Sequence, residues 1–359
     1  MTCILCLFLL SFRTATVRER PEILLQHGLL ALQRANLQEA RTDLEQAERL
    51  DPKNPYIWAS LAQVYLRLKE PNLASGAAGR AESLGQDNPV IWHALAMYYS
   101  EAGQFARAAK LEQRYAGSPR ADANARSRAA ELYLQAGDPQ SAWQTDKTDP
   151  QIAFDWAQAL LRRSDFTPAA QVIETALAAH PNDVQLMLAL GVARYGQRRF
   201  EDAIKAFLRV IQLDPQIEQP YVFLGRMLDQ AQALLPEITR DYETWLTRNP
   251  NNPKAPLLLA EALLTENNKG ERAESLLRRS ITLNPNDWES HYQLGVLLEN
   301  KHDYPAAATQ LTRAAELNPN EPMPHYHLAR VYDRMGQPAL AQAEREKHKQ
   351  LTTINQPAR

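Results

Sequence analysis

The chain has 359 residues, of which 45% are hydrophobic and 23% charged, with a formal net charge of −2. That apolar content excludes wholesale disorder, and the near balance of charge asks for neither nucleic acid nor an anionic membrane. A single compact core would be large at this length, so several domains or a repeat array is expected.

The first stretch of the chain is apolar. Cys3 to Phe12 supplies about ten mostly apolar residues, well short of the ~20 that cross a bilayer. It suits the hydrophobic region of a secretory signal, with Thr14-Ala15-Thr16 as a small-residue cleavage site, although no Lys or Arg precedes it. The competing reading is an apolar helix packed onto the segment that begins at residue 21. The first reading places the protein outside the cytoplasm, periplasmic or secreted, in a bacterium; the second leaves it cytoplasmic. Cys3 and Cys6 are the two cysteines of the chain. A disulfide framework, a cysteine zinc site and a thiol nucleophile are therefore excluded for the rest.

From residue 21 onward the sequence repeats itself. Trp58 and Trp92 are thirty-four residues apart, and so are Leu61 and Leu95, then Tyr65, Tyr99 and Tyr133. Gly103 and Gly137 keep the offset, as do Ala40, Ala74, Ala108 and Ala142. Gly191 and Gly225 fall in step, and Ala273, Ala307 and Ala341 continue the series. A fixed period of this size points to a stacked array of supersecondary units.

Each period holds two helical patterns. Trp58, Leu61, Ala62 and Tyr65 occupy one face of a first helix, at i, i+3, i+4 and i+7. Ala307, Leu311 and Ala314 do the same on a second helix. Large and small residues alternate at fixed places because antiparallel helices approach closely only where one side is Ala or Gly. The junctions are explicit: in Leu50-Asp51-Pro52-Lys53-Asn54-Pro55, Pro52 stops one helix, Asn54 caps the next and Pro55 suits its first turn. Variants recur at His180-Pro181-Asn182-Asp183, Asn284-Pro285-Asn286-Asp287 and Asn318-Pro319-Asn320.

Taken in chain order, the units are uneven. In the first, Leu25, Leu29 and Leu32 lie off the expected packing face, so residues 1–20, a second chain or a partner is expected to cover them. The fourth unit is short: Pro139-Gln140-Ser141-Ala142-Trp143 opens its second helix, and Thr145-Asp146-Lys147-Thr148-Asp149-Pro150 ends it about two turns early. A bend or weakened interface is expected near residue 149. This divides the chain into 1–20, an array at 21–149, a second array at 150–355 and a tail at 356–359. The seventh and eighth units each carry about one extra residue, expected as longer turns. The last helix, with Gln342, Glu344, Arg345, Glu346, Lys347, Lys349 and Gln350, is polar as a terminal cap should be. Trp58, Trp92, Trp156 and Trp245 are read as interior residues, and most acids as solvent-facing.

These residues resemble the tetratricopeptide repeat family. The ninth unit shows the pattern well: His291, Leu294, Gly295, Leu298, Tyr304, Ala307, Leu311, Ala314 and Pro319. The resemblance covers roughly residues 21 to 355. It implies an all-α fold, a right-handed superhelical solenoid of about ten antiparallel helix pairs, with a groove lined by the first helices. By the family's groove places, the third unit contributes His93, Met97 and Glu101. The sixth contributes Leu188, Val192 and Tyr195; the seventh Val222, Phe223 and Arg226; the ninth Tyr292, Gln293 and Val296; the tenth Tyr326, His327, Arg330 and Arg334. The candidate partner-binding residues are thus Met97, Leu188, Val192, Tyr195, Val222, Phe223, Arg226, Tyr292, Val296, Tyr326 and Arg330. The patch from the sixth and seventh units is the most apolar and suits an extended or helical peptide.

No catalytic, cofactor-binding or metal-binding constellation emerges. His325 and His327 are two apart on a helix and point apart, so they cannot share a metal. His327 is expected to face the groove. There is no His-Glu-x-x-His, phosphate-cradling Gly-rich loop or nucleophile elbow. The pairs Arg162-Arg163, Arg198-Arg199 and Arg278-Arg279 are short and read as solvated surface. The expected function is a non-catalytic scaffold that binds a protein or peptide, without cofactor, nucleic acid or a stable membrane span. The alternatives are an assembly factor that oligomerises through its first repeat and an accessory arm of a separate enzyme.

Overall fold

Prolines and short polar side chains set where each helix begins. Asn54, Asn88 and Asp149 each accept a hydrogen bond from a backbone N–H of the following first turn, and Pro55, Pro89 and Pro150 open the helices they cap. The computed structural model describes residues 20–266 and 270–354. Among the described residues every regular element is helical.

The chain divides into two compact halves, one running to Arg163 with Ala178–His180, the other comprising Ser164–Leu177 and Pro181 onward. The first half holds α1 (Pro21–Gln33), α2 (Leu37–Leu50), α3 (Pro55–Arg67), α4 (Pro71–Leu84), α5 (Pro89–Glu101), α6 (Phe105–Ala116), α7 (Ala125–Gln135), α8 (Pro139–Thr145) and α9 (Pro150–Arg162). The second half holds most of α10 (Phe166–Ala179), then α11 (Val184–Gly196), α12 (Phe200–Leu213), α13 (Gln219–Gly225), α14 (Leu228–Ala231) and a 3-10 turn at Gln232–Leu234. It continues with α15 (Leu235–Arg248), α16 (Lys254–Thr265), α17 (Gly270–Leu283), α18 (Trp288–Asn300), α19 (Tyr304–Leu317), α20 (Pro322–Arg334) and α21 (Pro338–Ile354). Residue 149, the expected point of division, lies inside the first half as the N-cap of α9.

Within each half, helices pack in hairpins and successive hairpins stack. The first helices of successive repeats also touch one another, as α3 touches α5 and α18 touches α20. Three residues join the two helices of a regular hairpin, and the middle one is left-handed: Lys69, Gly103, Arg198, His302 and Gly336 have φ between 60° and 72°. This lets the next N–H reach back to a carbonyl of the finished helix, as from Glu70 to Tyr65 at 2.9 Å and from Gln104 to Tyr99 at 2.8 Å. Gly103 and Gly336 adopt this conformation without the Cβ penalty the others bear.

A second device ties four of the hairpins to the preceding loop. The Trp58 indole N–H donates to the Pro52 carbonyl at 2.8 Å, and Trp92 donates to Gln86 at 3.0 Å. Tyr221 donates to Pro215 at 3.2 Å, and His291 Nε2 lies 3.1 Å from the Pro285 carbonyl. All four are six residues beyond the acceptor. The arrangement corrects the expectation for the tryptophans: Trp58, Trp92 and Trp156 are only partly buried, and Trp58 and Trp92 reach out to loop carbonyls, whereas Trp245 is interior.

The irregular repeats have local causes. The fourth repeat's second helix, α8, has 7 residues where α2 and α4 have 14, which matches the missing turns. In the seventh repeat the expected longer turn is corrected. Its first helix stops at Gly225 after 7 residues, and Gln232 takes φ 35°, ψ −105° where α14 gives way to the 3-10 turn. The second helix explains this. Ile238 and Trp245 are buried where other repeats carry alanines such as Ala307 and Ala314, and Trp245 stacks on Tyr221 at 4.5 Å. The bulkier helix leaves no room for a regular partner. The extra residue of the eighth repeat falls at 267–269, outside the described residues.

The first helix also departs from expectation. Leu32 is buried and Leu25 packs against the first half's core, so only Leu29 of the three is exposed, at 40%, beside Leu30. Of the segment 1–20, one of the expected covers, all but Arg20 lies outside the described residues. Trp245→Ala removes the largest fully enclosed side chain of the second half and should cost about 3–5 kcal/mol in urea unfolding. Unfolding indistinguishable from the parent would contradict the packing described.

Candidate functional site

The first helices of the second half present one continuous strip of side chains. On α11 it carries Leu188, Val192 and Tyr195; on α13, Val222 and Phe223, with Arg226 just beyond the helix end. Leu188, Val192, Tyr195, Val222, Phe223, Tyr292 and Val296 are all partly buried, with one side against the core. They are neither free in solvent nor sealed. Met97 stands apart in the first half, 54% exposed.

At the strip's α11–α13 end the aromatic rings lock together. Phe223 stacks on the fully buried Phe207 at 4.9 Å with planes 7° apart, and Tyr195 meets Phe200 and Phe223 edge-on at 5.9 and 5.8 Å. Such contacts each contribute about 0.5–1.5 kcal/mol beyond the area they bury, which favours this arrangement of the rings. The Arg226 guanidinium lies 5.7 Å from the Phe223 ring centre.

The middle of the strip is a hollow of about 350 Å³ beside the break in the seventh repeat, lined by Gly225, Arg226, Leu228, Asp229, Glu261, Leu264, Thr265 and Gln293. Burial pushes the Glu261 carboxyl up to about 7, with the Glu289 charge adding to the shift and the hydrogen bond from Gln293 opposing it. Gln293 Nε2 donates to it at 3.1 Å.

At the α18–α20 end, Glu299 is 6% exposed, accepts from His327 Nδ1 at 2.6 Å and forms an ion pair with Arg330 Nε at 3.2 Å. Tyr292 O–H lies 3.4 Å from His327 Nε2, and Tyr326, 43% exposed, meets the His327 ring edge-on. His327 is 9% exposed, enclosed by Tyr292, Tyr326 and Glu299. The Tyr-His-Glu order has the shape of a nucleophile relay. Its chemistry points the other way, since burial and the Glu321 charge push the Tyr292 phenol up rather than activating it. Among the described residues no group of His, Cys, Asp or Glu is placed to hold a metal ion, and no helix is long and apolar enough to cross a membrane.

Buried carboxylates are what the sequence reading missed. Besides Glu299, Glu112 is 2% exposed and takes His93 Nδ1 at 2.7 Å and Arg128 Nε at 2.8 Å. It floors a hollow of about 530 Å³ in the first half that includes Met97, Ser100, Glu131 and Leu132. Glu344 accepts from His325 at 2.5 Å. The correction has a physical reason: each acid is balanced by a cation or histidine on another helix, which periodicity within one helix does not display.

Family models of the tetratricopeptide repeat match residues 31–98, 154–216 and 276–308. The chain is a tetratricopeptide repeat protein. Its all-helical array is that of a helical repeat solenoid, and tetratricopeptide arrays are scaffolds for protein–protein interaction. A curated relative, intraflagellar transport protein 70B of Rattus norvegicus, is 27% identical over 158 residues. That match takes in 42% of this chain and 23% of the relative, so the chain spans under a quarter of the relative's length. Among solved structures, yeast Tom70 is 14% identical with a TM-score of 0.43, covering 92% of each chain. A thermophilic tetratricopeptide protein of Thermus thermophilus is 23% identical with a TM-score of 0.42, covering 48% of this chain and 93% of its own.

Glu261→Gln tests the strip's electrostatics. A carboxyl raised above its ordinary range is protonated in both states at low pH, and the folded state loses stability as pH climbs from about 4.5 through about 7. Glutamine keeps the acceptor for Gln293 without the charge. The variant should be about 1–3 kcal/mol more stable than the parent at pH 8, and the gain should vanish near pH 4. A gain that is flat with pH, or a loss at pH 8, would show that Glu261 is an ordinary exposed acid.

Proposed function

We propose that this protein binds an extended or helical segment of a partner protein along the first-helix strip of its second half. The observation that carries the reading is the interlocked patch of Tyr195, Phe200, Phe207 and Phe223. Tyr195 and Phe223 are left partly open at the places from which tetratricopeptide grooves contact ligands, and Phe200 and the fully buried Phe207 brace them from behind. Preordered aromatics make efficient anchors because little side-chain entropy is lost on binding, and a few such residues carry most of the affinity of an extended interface. Arg226, Tyr326 and Arg330 flank the patch and the strip's far end as polar contacts. Glu299 braces Arg330, and its pairing with His327 holds α20 against α18.

The test is a quantitative comparison of proteins retained by the purified parent and by Tyr195→Ala/Phe223→Ala. A third bait, Lys205→Ala, changes an exposed residue of α12 outside the strip. The double variant should lose the parent's partners while far-UV circular dichroism stays the same, and Lys205→Ala should keep them. An unchanged partner set on the double variant would remove the strip as the binding surface.

A further inference from the structure

Repeat 7 opens a slot beside its broken first helix. Its first helix ends at Gly225, and the chain then turns inward, with Met227 and Leu228 buried. Gly225 leaves the slot's wall bare, since a Cβ there would fall 2.5 Å from Leu258 Cδ2. At the slot stands Glu261. Among the described residues, the Gln293 amide is the one hydrogen-bond donor to its carboxylate, which has room for several.

We infer that the slot receives a lysine or arginine side chain of the bound partner segment, with Glu261 as its counter-charge. This rests on the groove reading above and names the residue class the groove selects. Charge complementarity argues for it. Asp229 lines the slot with Glu261, while Asp287 and Glu289 are near enough to act on Glu261 electrostatically. Of two cations close by, Lys254 is paired with Glu218 at 2.8 Å, and Arg226 lines the slot's edge 5.7 Å from the Phe223 ring centre, without a hydrogen bond to Glu261. Leu228 and Leu264 offer apolar walls to the methylene stem of a long basic side chain. An apolar side chain in the same place would seal Glu261 from water without a partner, which is costly for an ionised carboxylate. A basic one supplies a charge-assisted hydrogen bond instead. Because Arg226 borders both the slot and the aromatic patch, one segment can place an apolar residue on Phe223 and a basic residue beside Glu261.

The probe is a phage-displayed library of random linear peptides, selected on the full chain. Retained peptides are then synthesised and measured by fluorescence anisotropy. They should share a Lys or Arg at one position. Replacing that residue with norleucine should weaken binding to the parent about tenfold, and Glu261→Gln should weaken the unmodified peptide by a similar factor. The two changes together should cost no more than either alone, because each removes the same contact. Peptides without a shared basic residue, or losses that multiply, would overturn the inference. The peptide-side replacement gives this result on the parent protein even if the variant folds poorly. Peptides that bind Tyr195→Ala/Phe223→Ala as tightly as the parent would instead overturn the groove reading, and a library that yields no binder would count against both.

Discussion

One steric relation recurs in the hairpins of the array. A residue of the first helix must be small enough for a side chain sixteen residues later, on the second helix, to lie against its backbone. Gly28 receives Leu44, Gly191 receives Phe207, and Gly295 receives Leu311; an added Cβ would fall within 2.6 Å of each partner. The corresponding places elsewhere are Ala62, Ala96, Ala130, Ala157, Ala260 and Ala329, all buried, and Gly225 of the broken seventh repeat, which faces Leu258 of the next repeat instead. This closeness lets two short helices bury a shared face, and the buried face gives the next hairpin a surface to stack on. Helices of about 13 residues would be marginal alone, so their stability is borrowed from packing.

Because contacts run mainly between neighbours, irregularity stays local, as expected for a repeat array. The shortened α8 removes packing surface from the fourth repeat without disturbing the helices that flank it. In the seventh repeat, Ile238 and Trp245 fill places that are small elsewhere, and the first helix breaks in response. That break is also what exposes the hollow beside Glu261. The departure from regularity and the most distinctive chemistry of the strip therefore have the same origin, and the aromatic patch borders it through Arg226.

Much of this was legible in the amino-acid order. The thirty-four-residue offset of Trp58 and Trp92 marks equivalent places, the Asn54-Pro55 junction marks a helix start, and the groove places lead to Tyr195 and Phe223. Other features were not. The pairs Glu112–Arg128 and Glu299–His327 join different helices, so no spacing within one helix announces them. The length of the seventh repeat differs by about one residue, which suggested a longer turn; the decisive signal was the size of Ile238 and Trp245. Glu261 was within reach, since it stands one place after Ala260 in the eighth repeat, just as Arg226 follows Gly225 in the seventh.

Glycine-to-alanine substitutions at two kinds of site measure the steric relation directly. Helix propensity alone makes alanine better than glycine by up to about 1 kcal/mol within a helix. At Gly79, exposed in α4 with open space around its Cα, Gly79→Ala should raise unfolding stability by roughly that amount. At Gly191 the new methyl meets the enclosed ring of Phe207, which is itself stacked on Phe223, so Gly191→Ala should lower stability by about 1–3 kcal/mol despite the better propensity. Opposite signs in urea unfolding are the result this account predicts. Stabilisation at both positions would contradict it, because the helices would then not be held together by close approach at small residues.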